Sequence, residues 1–238
     1  MFKKSNVTAQ SNLNLFSMIT RLKKNNIYMK RFLLLIGLFF ITFLSNAQNQ
    51  TTKTYLLLNG GVNYATFFQS SSDVNNLHGV WGPVGGLSIR TVTPTWWGVE
   101  AGLNYSVKGT NFKDSLGKAT IGYAGAYFDG LLFFPLANND DAYAGIGLYT
   151  AYAVNGKLKN DSATTDIDFG GETWKAFDVG LQLKGGYMIK NTVGFNIYYN
   201  IGFIPTFTSV DRRGNTNHGR NSAFTVSVSL KLAKIYDR

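Results

Sequence analysis

The residues able to do chemistry are few and widely separated. The chain of 238 residues has two histidines, His78 and His218, and no cysteine. Without a thiol there is no disulfide framework, no thiolate metal site and no cysteine nucleophile. A lipid-modified N-terminus, which requires a cysteine after the cut, is excluded as well. A hydrolase built into a sheet wall would need a histidine in or beside that wall as general base. Both histidines instead fall in segments read as loops. Pairing one of them with Asp73 or Asp211 is geometrically open, but two isolated loop histidines read more simply as solvated. Asp161, Asp166 and Asp168 share one long loop, and their spacing does not match the calcium loop with its closing Glu. The pairs Gly60-Gly61, Gly85-Gly86, Gly170-Gly171 and Gly185-Gly186 are not followed by the Gly-Lys-Ser/Thr of a phosphate loop. In-strand glycines permit curvature or close packing instead. No catalytic residue, cofactor or metal is expected.

What remains is a set of five charges that period-two patterning puts on one side of a sheet: Arg90, Glu100, Asp129, Asp178 and Lys184. They suggest either an ion-conducting interior or a salt-bridged plug. The plug is favoured, because an eight-stranded barrel has room for side chains and little else, and buried charges need partners of the opposite sign.

The elements that must hold them are eight β-strand-like stretches between Tyr55 and Leu232. Trp97, Val99, Ala101, Leu103, Tyr105 and Val107 alternate with Gly98, Glu100, Gly102, Asn104, Ser106 and Lys108. The same alternation runs through Phe177–Tyr187, Val193–Phe203 and Phe224–Leu232. Successive side chains of a strand point to opposite faces. The two charges of Trp97–Lys108 fall on one face, and so do the two of Phe177–Tyr187. The connections alternate in length. Phe68–Pro83, Gly109–Lys118, Val154–Glu172 and Pro205–Asn221 are long, whereas Pro94–Thr95, Pro135–Asp141 and Lys190–Thr192 are short. In an up-and-down meander all long loops then lie at one end, the asymmetry of outer-membrane barrels. The expected fold is all-β: an eight-stranded antiparallel up-and-down transmembrane β-barrel.

Periodicity alone does not say which face is outside, and a soluble barrel would put the apolar face inward. Three features favour the membrane arrangement. The polar faces are rich in Gly and small polar residues, which suit a narrow interior. The strands are long enough to cross at a tilt. Aromatics gather near strand ends as interfacial girdles: Tyr55, Trp96, Trp97, Phe133, Phe134 and Tyr143 at the turn side, Phe67, Trp81, Tyr105, Trp174, Phe177 and Phe203 at the loop side. Lipid offers no hydrogen bonds, so only a closed sheet can span. A Lys or Arg facing lipid at the midplane would cost roughly 2–4 kcal/mol.

The N-terminus fits the same destination. Met29-Lys30-Arg31 is basic, Phe32–Leu44 is apolar, and Ser45-Asn46-Ala47 precedes a cut before Gln48, which together read as a secretory signal peptide. The organisation expected is therefore residues 1–47 as extension and signal, with the functional start at Met29, 48–54 as a short periplasmic lead, and 55–238 as the barrel. Met1–Ala47 carries 7 Lys/Arg and no Asp/Glu, leaving 16 Lys/Arg against 13 Asp/Glu, a formal +3 of the total +10. The basic balance thus belongs mostly to the targeting segment, and nucleic acid is not an expected partner.

Tyr127-Phe128-Asp129-Gly130-Leu131-Leu132-Phe133-Phe134-Pro135 resembles the aromatic-x-acid-x-x-Leu-Leu strand ending near Pro of the PorT-like outer-membrane β-barrel family of Bacteroidota. Phe177-Asp178-Val179-Gly180-Leu181 with Gly185-Gly186-Tyr187, Phe195–Gly202 and Arg220–Leu232 resemble its following strands. The likeness covers most of Tyr55–Leu232. The chain departs from it by running on through Ala233–Arg238, where such barrels end on an aromatic of the last strand. The resemblance implies an outer-membrane barrel, and some relatives serve in type IX secretion, although no residue here carries that role over. The expected function is non-enzymatic: a membrane scaffold or surface-binding barrel with long extracellular loops and short periplasmic turns. The alternative is a narrow pore or transport/secretion component using the charged interior. Expected partners are outer-membrane lipid and an extracellular or secretion-machinery protein.

Overall fold

The computed structural model describes residues 52–69, 77–112, 117–136, 140–160, 163–171, 173–210 and 216–237. The segment read as a signal, Asp73, Asp161 and Asp211 lie outside the described residues. The strands are β1 (Lys53–Gln69), β2 (Leu77–Val92), β3 (Trp97–Phe112), β4 (Gly117–Pro135), β5 (Asp141–Lys159), β6 (Thr164–Asp166), β7 (Phe177–Ile189), β8 (Val193–Gly202), β9 (Phe207–Val210) and β10 (Thr216–Asp237). β1, β2, β3, β4, β5, β7, β8 and β10 pair in that order, and β10 pairs back onto β1, closing a ring of eight. Every pairing between them is antiparallel. β6 and β9 are short strands that fold back onto β5 and β10 outside the ring.

The register sets the barrel's dimensions. Passing from Leu56 to Ile89, Ala101, Phe128, Leu148, Leu181, Ile201 and Ser222, the path returns to β1 at Thr66, ten residues along. With eight strands about 4.8 Å apart and a rise of about 3.3 Å per residue, that stagger means a strand tilt of about 40° and a radius of about 8 Å. Each residue climbs the barrel axis by about 2.5 Å, so an apolar band about 25 Å tall takes roughly ten residues.

Alternation sorts the two faces as the sequence suggests. Leu103 and Leu148 are 69% and 59% exposed, as are Val226, Val228 and Leu230 to a lesser degree, while Ser88, Thr225, Ser227 and Ser229 are buried between them. A surface so apolar fits lipid and not water.

The strands run further than the sequence reading allowed. Pro83, expected in a long loop, lies inside β2 opposite Val62. It is tolerated because the β2–β3 register shifts between Gly79 and Val84, and proline is accommodated where a bulge interrupts the ladder. β3 continues to Phe112, β5 to Lys159, and β10 takes in both Asn217–Asn221 and Ala233–Asp237. β1 likewise takes in Lys53 and Thr54 from the expected lead. His78 and His218 consequently sit on β2 and β10, and both are exposed. Polar residues in these stretches obscured the period, because strand ends above the lipid need no apolar face.

Candidate functional site

The barrel interior carries the buried charges. Arg90 on β2 lies directly opposite Glu100 on β3, and Glu100 directly opposite Asp129 on β4. Two acids side by side repel. Lys184 crosses from β7 on the far wall and places Nζ 2.7 Å from Glu100 Oε1 and 3.5 Å from Asp129 Oδ2. Arg90 Nη2 sits 2.7 Å from Glu100 Oε2 and donates to the Tyr143 hydroxyl at 2.9 Å. Its guanidinium also lies 4.2 Å from the centroid of the Tyr143 ring. The Tyr127 hydroxyl donates to Glu100 Oε1 at 2.8 Å. Gln182 Nε2 donates to both Asp129 oxygens, at 3.0 and 2.8 Å. The Tyr143 hydroxyl donates to Asn196 Oδ1. Asn196 Nδ2 in turn donates to the Ser229 hydroxyl at 2.6 Å, tying the cluster to β10.

Asp178 stands apart from these four residues. It belongs to a second cluster nearer the loop end, around a residue that sequence reasoning left out of the site, Lys108 on β3. Lys108 Nζ donates to Asp178 Oδ2 at 3.1 Å, and Asn221 Nδ2 to the same oxygen at 2.9 Å. The Tyr149 hydroxyl donates to Asp178 Oδ1 at 3.2 Å. Lys108 Nζ lies 4.7 Å from the Tyr149 ring centroid and 5.3 Å from that of Tyr123. Among the described residues, the buried charges are thus Arg90, Lys108 and Lys184 against Glu100, Asp129 and Asp178, a neutral set. The five residues chosen from the sequence carried an excess acid, and that imbalance pointed to Lys108, which the alternation had already placed on the inner face.

Glycine makes room for the tyrosines. A side chain at Gly102 would strike the Tyr127 ring, and one at Gly186 the Tyr143 ring. Without a Cβ on the adjacent strand, each ring lies flat against the wall and its hydroxyl reaches the charges.

Apolar clusters close both ends. At the turn end Tyr55, Leu57, Leu131, Phe133, Tyr143 and Met188 pack together. At the loop end Phe67, Ile121, Tyr123, Trp174 and Phe207 do so with Ile167 and small residues. Here five of the aromatics expected in outer girdles are instead inside: Tyr55, Phe133, Tyr143, Phe67 and Trp174 are all buried. Trp96, Phe134, Trp81, Tyr105, Phe177 and Phe203 do face outward. The loops are part of the upper closure. Trp174 bridges Phe207 as an isolated pair, Ala153 N–H donates to the Ala176 carbonyl at 2.8 Å, and Thr206 N–H to that of Gly219 at 2.9 Å.

Between the two charge clusters lies a cavity of about 20 Å³, lined by Asn63, Asn104, Gln182, Asn200 and Thr225 among others. That is space for a water molecule, which such polar walls can bind. A larger cleft of about 340 Å³ opens at the turn end between Lys53, Pro94, Trp96, Leu136 and Asp141. Of the loop carboxylates, Asp168 accepts the Gly170 amide at 2.8 Å in a local turn, and Asp166 lies in β6 opposite Lys157.

The profile of the family described as "Outer membrane protein beta-barrel domain" matches residues 46–208, which leaves β10 beyond the matched segment. Among curated proteins no sequence matches the chain. Similar solved structures include Neisserial surface protein A, at 13% identity, TM-score 0.44, covering 74% of this chain and 97% of its own. OprG of Pseudomonas aeruginosa is 14% identical with TM-score 0.45, covering 78% and 98%. Ail of Yersinia pestis is 9% identical with TM-score 0.38, covering 76% and 98%.

Proposed function

We propose that this chain, which belongs to the outer membrane protein beta-barrel domain family, is a non-enzymatic, non-conducting outer-membrane barrel that works through its loop end. The observation that supports this reading is the filled interior. Among the described residues six buried charges neutralise one another, apolar clusters close both ends, and the cavity between the charge layers measures about 20 Å³. Transport through such a body would require both closures to move. The interior carboxylates are held by cations and amides, which gives them no free base to offer a substrate.

In this reading residues 1–47 are removed as a signal, the short turns face the periplasm, and the loop end faces outward. There the Trp174–Phe207 bridge and strands β6 and β9 give the loops a fixed shape, the form a recognition surface needs. The finer kinship is with the PorT-like barrels, and the partner is an extracellular or secretion-machinery protein.

The test is electrical. Barrel refolded from the full mature chain and added to planar bilayers is expected to give no unitary current steps. Steady steps whose size changes in Lys184→Ala or Arg90→Ala would overturn the proposal and establish the narrow pore instead.

A further inference from the structure

Lys118 on β4 lies directly opposite Lys159 on β5, and Lys157 is two residues along β5 on the same face. Like charges opposite one another destabilise a strand pair, so the juxtaposition is costly unless an anion is shared. All three lysines are exposed, while Ala119 and Ile121, which alternate with Lys118 and Thr120 along β4, are buried inside the barrel. The lysines therefore face outward, toward whatever surrounds the barrel wall. Asp166 on β6, opposite Lys157, is the carboxylate that the pairing brings to this face. Among the described residues, strand pairing thus places three ammonium groups beside one acid.

Their height matters as much as their charge. Tyr105 and Tyr152 are exposed on the outer face at the upper edge of the apolar band, and Val154 closes that band on β5. Lys157 comes three residues after Val154, which is itself the bulged residue, since Gly122 pairs with Asn155 and Tyr123 with Ala153. At about 2.5 Å of height per residue, the lysines sit roughly 10 Å above the band, at the level of lipid headgroups. Thr120, directly opposite Lys157, adds a hydroxyl at their level, and below it Asn155 accepts the Gly122 amide at 3.2 Å and donates to the Tyr105 hydroxyl at 3.4 Å.

We propose that Lys118, Lys157 and Lys159 form a binding site for the phosphate-bearing headgroup of a glycolipid in the leaflet around the loop end. A phosphate carries multiple acceptors and a charge that all three ammonium groups can share. Lateral orientation and height favour a lipid over a soluble anion, because the site opens sideways above the acyl chains. The site rests on the reading that the loop end lies in the outer leaflet.

The experiment uses the full mature barrel in detergent micelles, titrated with bisphosphorylated lipid A and monitored by native mass spectrometry. The expected result is one retained lipid, with binding on the order of 100-fold weaker in the triple variant K118Q/K157Q/K159Q and comparably weak for dephosphorylated lipid A. The triple arginine variant K118R/K157R/K159R should retain the lipid, and heat-shifted gel mobility should show that all variants fold. Equal binding by the glutamine variant, or equal retention of dephosphorylated lipid, would overturn the site. Displacement of the lipid by low-millimolar inorganic phosphate would assign the lysines to a soluble anion and overturn the lipid proposal. Orientation is read separately. The chain has no cysteine, so Gly170→Cys can be probed with an impermeant maleimide on intact cells. Absence of labelling there would refute the outer-leaflet placement whatever the lipid result.

Discussion

Lys184→Met is expected to destabilise the barrel by about 3–5 kcal/mol, the usual cost of removing one partner from a buried ion pair. Lys184 is the cation that reaches both acids of its cluster, at 2.7 Å from Glu100 and 3.5 Å from Asp129, whereas Arg90 is paired with Glu100 alone. At an effective dielectric near 20, a unit pair 2.7 Å apart attracts by roughly 6 kcal/mol before desolvation is set against it. The methionine variant leaves two adjacent carboxylates with one guanidinium, and that guanidinium cannot reach Asp129. Adding Asp129→Asn restores neutrality with the Arg90–Glu100 pair intact, and should recover more than half of the loss. The assay is urea unfolding of the barrel in lipid vesicles, followed by fluorescence of its four tryptophans. With a urea slope of about 2 kcal/mol/M, the single variant should unfold about 2 M earlier. An unchanged midpoint for Lys184→Met would refute the account of the interior as a mutually dependent ion network. A double variant weaker than the single one would do the same.

The turn end offers two further checks. The Asp140 carboxylate accepts the Tyr187 hydroxyl at 2.5 Å and the Lys190 amide at 2.7 Å, and these bonds hold its pKa below the ordinary carboxylate range. A lowered folded pKa means that its contribution is present above that range and is lost as pH falls through the folded value. Melting temperature measured between pH 7 and pH 3 should therefore fall less steeply in Asp140→Asn than in the parent chain. In the β7–β8 turn, Lys190 and Asn191 both have left-handed backbones, with φ of 46° and 53°, as a type I′ turn demands. Asparagine tolerates that region and lysine does not, so Lys190→Gly should raise stability by about 1 kcal/mol, read as a later urea midpoint.

The wall of this barrel was legible because lipid leaves no choice. Strand segments inside the band show lipid an apolar residue at nearly every second position, which is why Trp97–Lys108 alternates throughout and Phe177–Tyr187 is interrupted only by Gly185. Above the band that constraint lapses. Asn155, Lys157 and Lys159, like Thr216, His218 and Arg220, put polar side chains on the face that lower down meets lipid, and Leu77–Gly82 is broken by two glycines, so these stretches read as loops although backbone pairing continues through them. Pro83 strengthened the misreading, since a proline argues against a strand unless a bulge receives it. The five expected interior charges all point inward because their strands lay inside the band. Which of them touch one another depends on the stagger around the ring, and no single strand's pattern contains that.

The inward aromatics could have been found by applying the period strictly. Phe133 and Phe134 are neighbours on one strand, so a girdle cannot hold both. Phe133 is 4% exposed and Phe134 52%. Phe67 and Phe68 divide in the same way, at 2% and 68%. Parity with Leu131 and Asp129 puts Phe133 inside, and the alternation Asn63, Ala65, Phe67 does the same for Phe67. The physical reason for apolar rings at these positions is the charge between them. Four ion pairs in a barrel of about 8 Å radius are strong only while bulk water is kept from them. A polar stopper would admit water from either mouth. Phe133, Tyr143 and Met188 at one end, with Phe67, Trp174 and Phe207 at the other, are what shut bulk solvent out of the charged layers. Replacing either stopper with small side chains would loosen the salt bridges without touching a single charged residue.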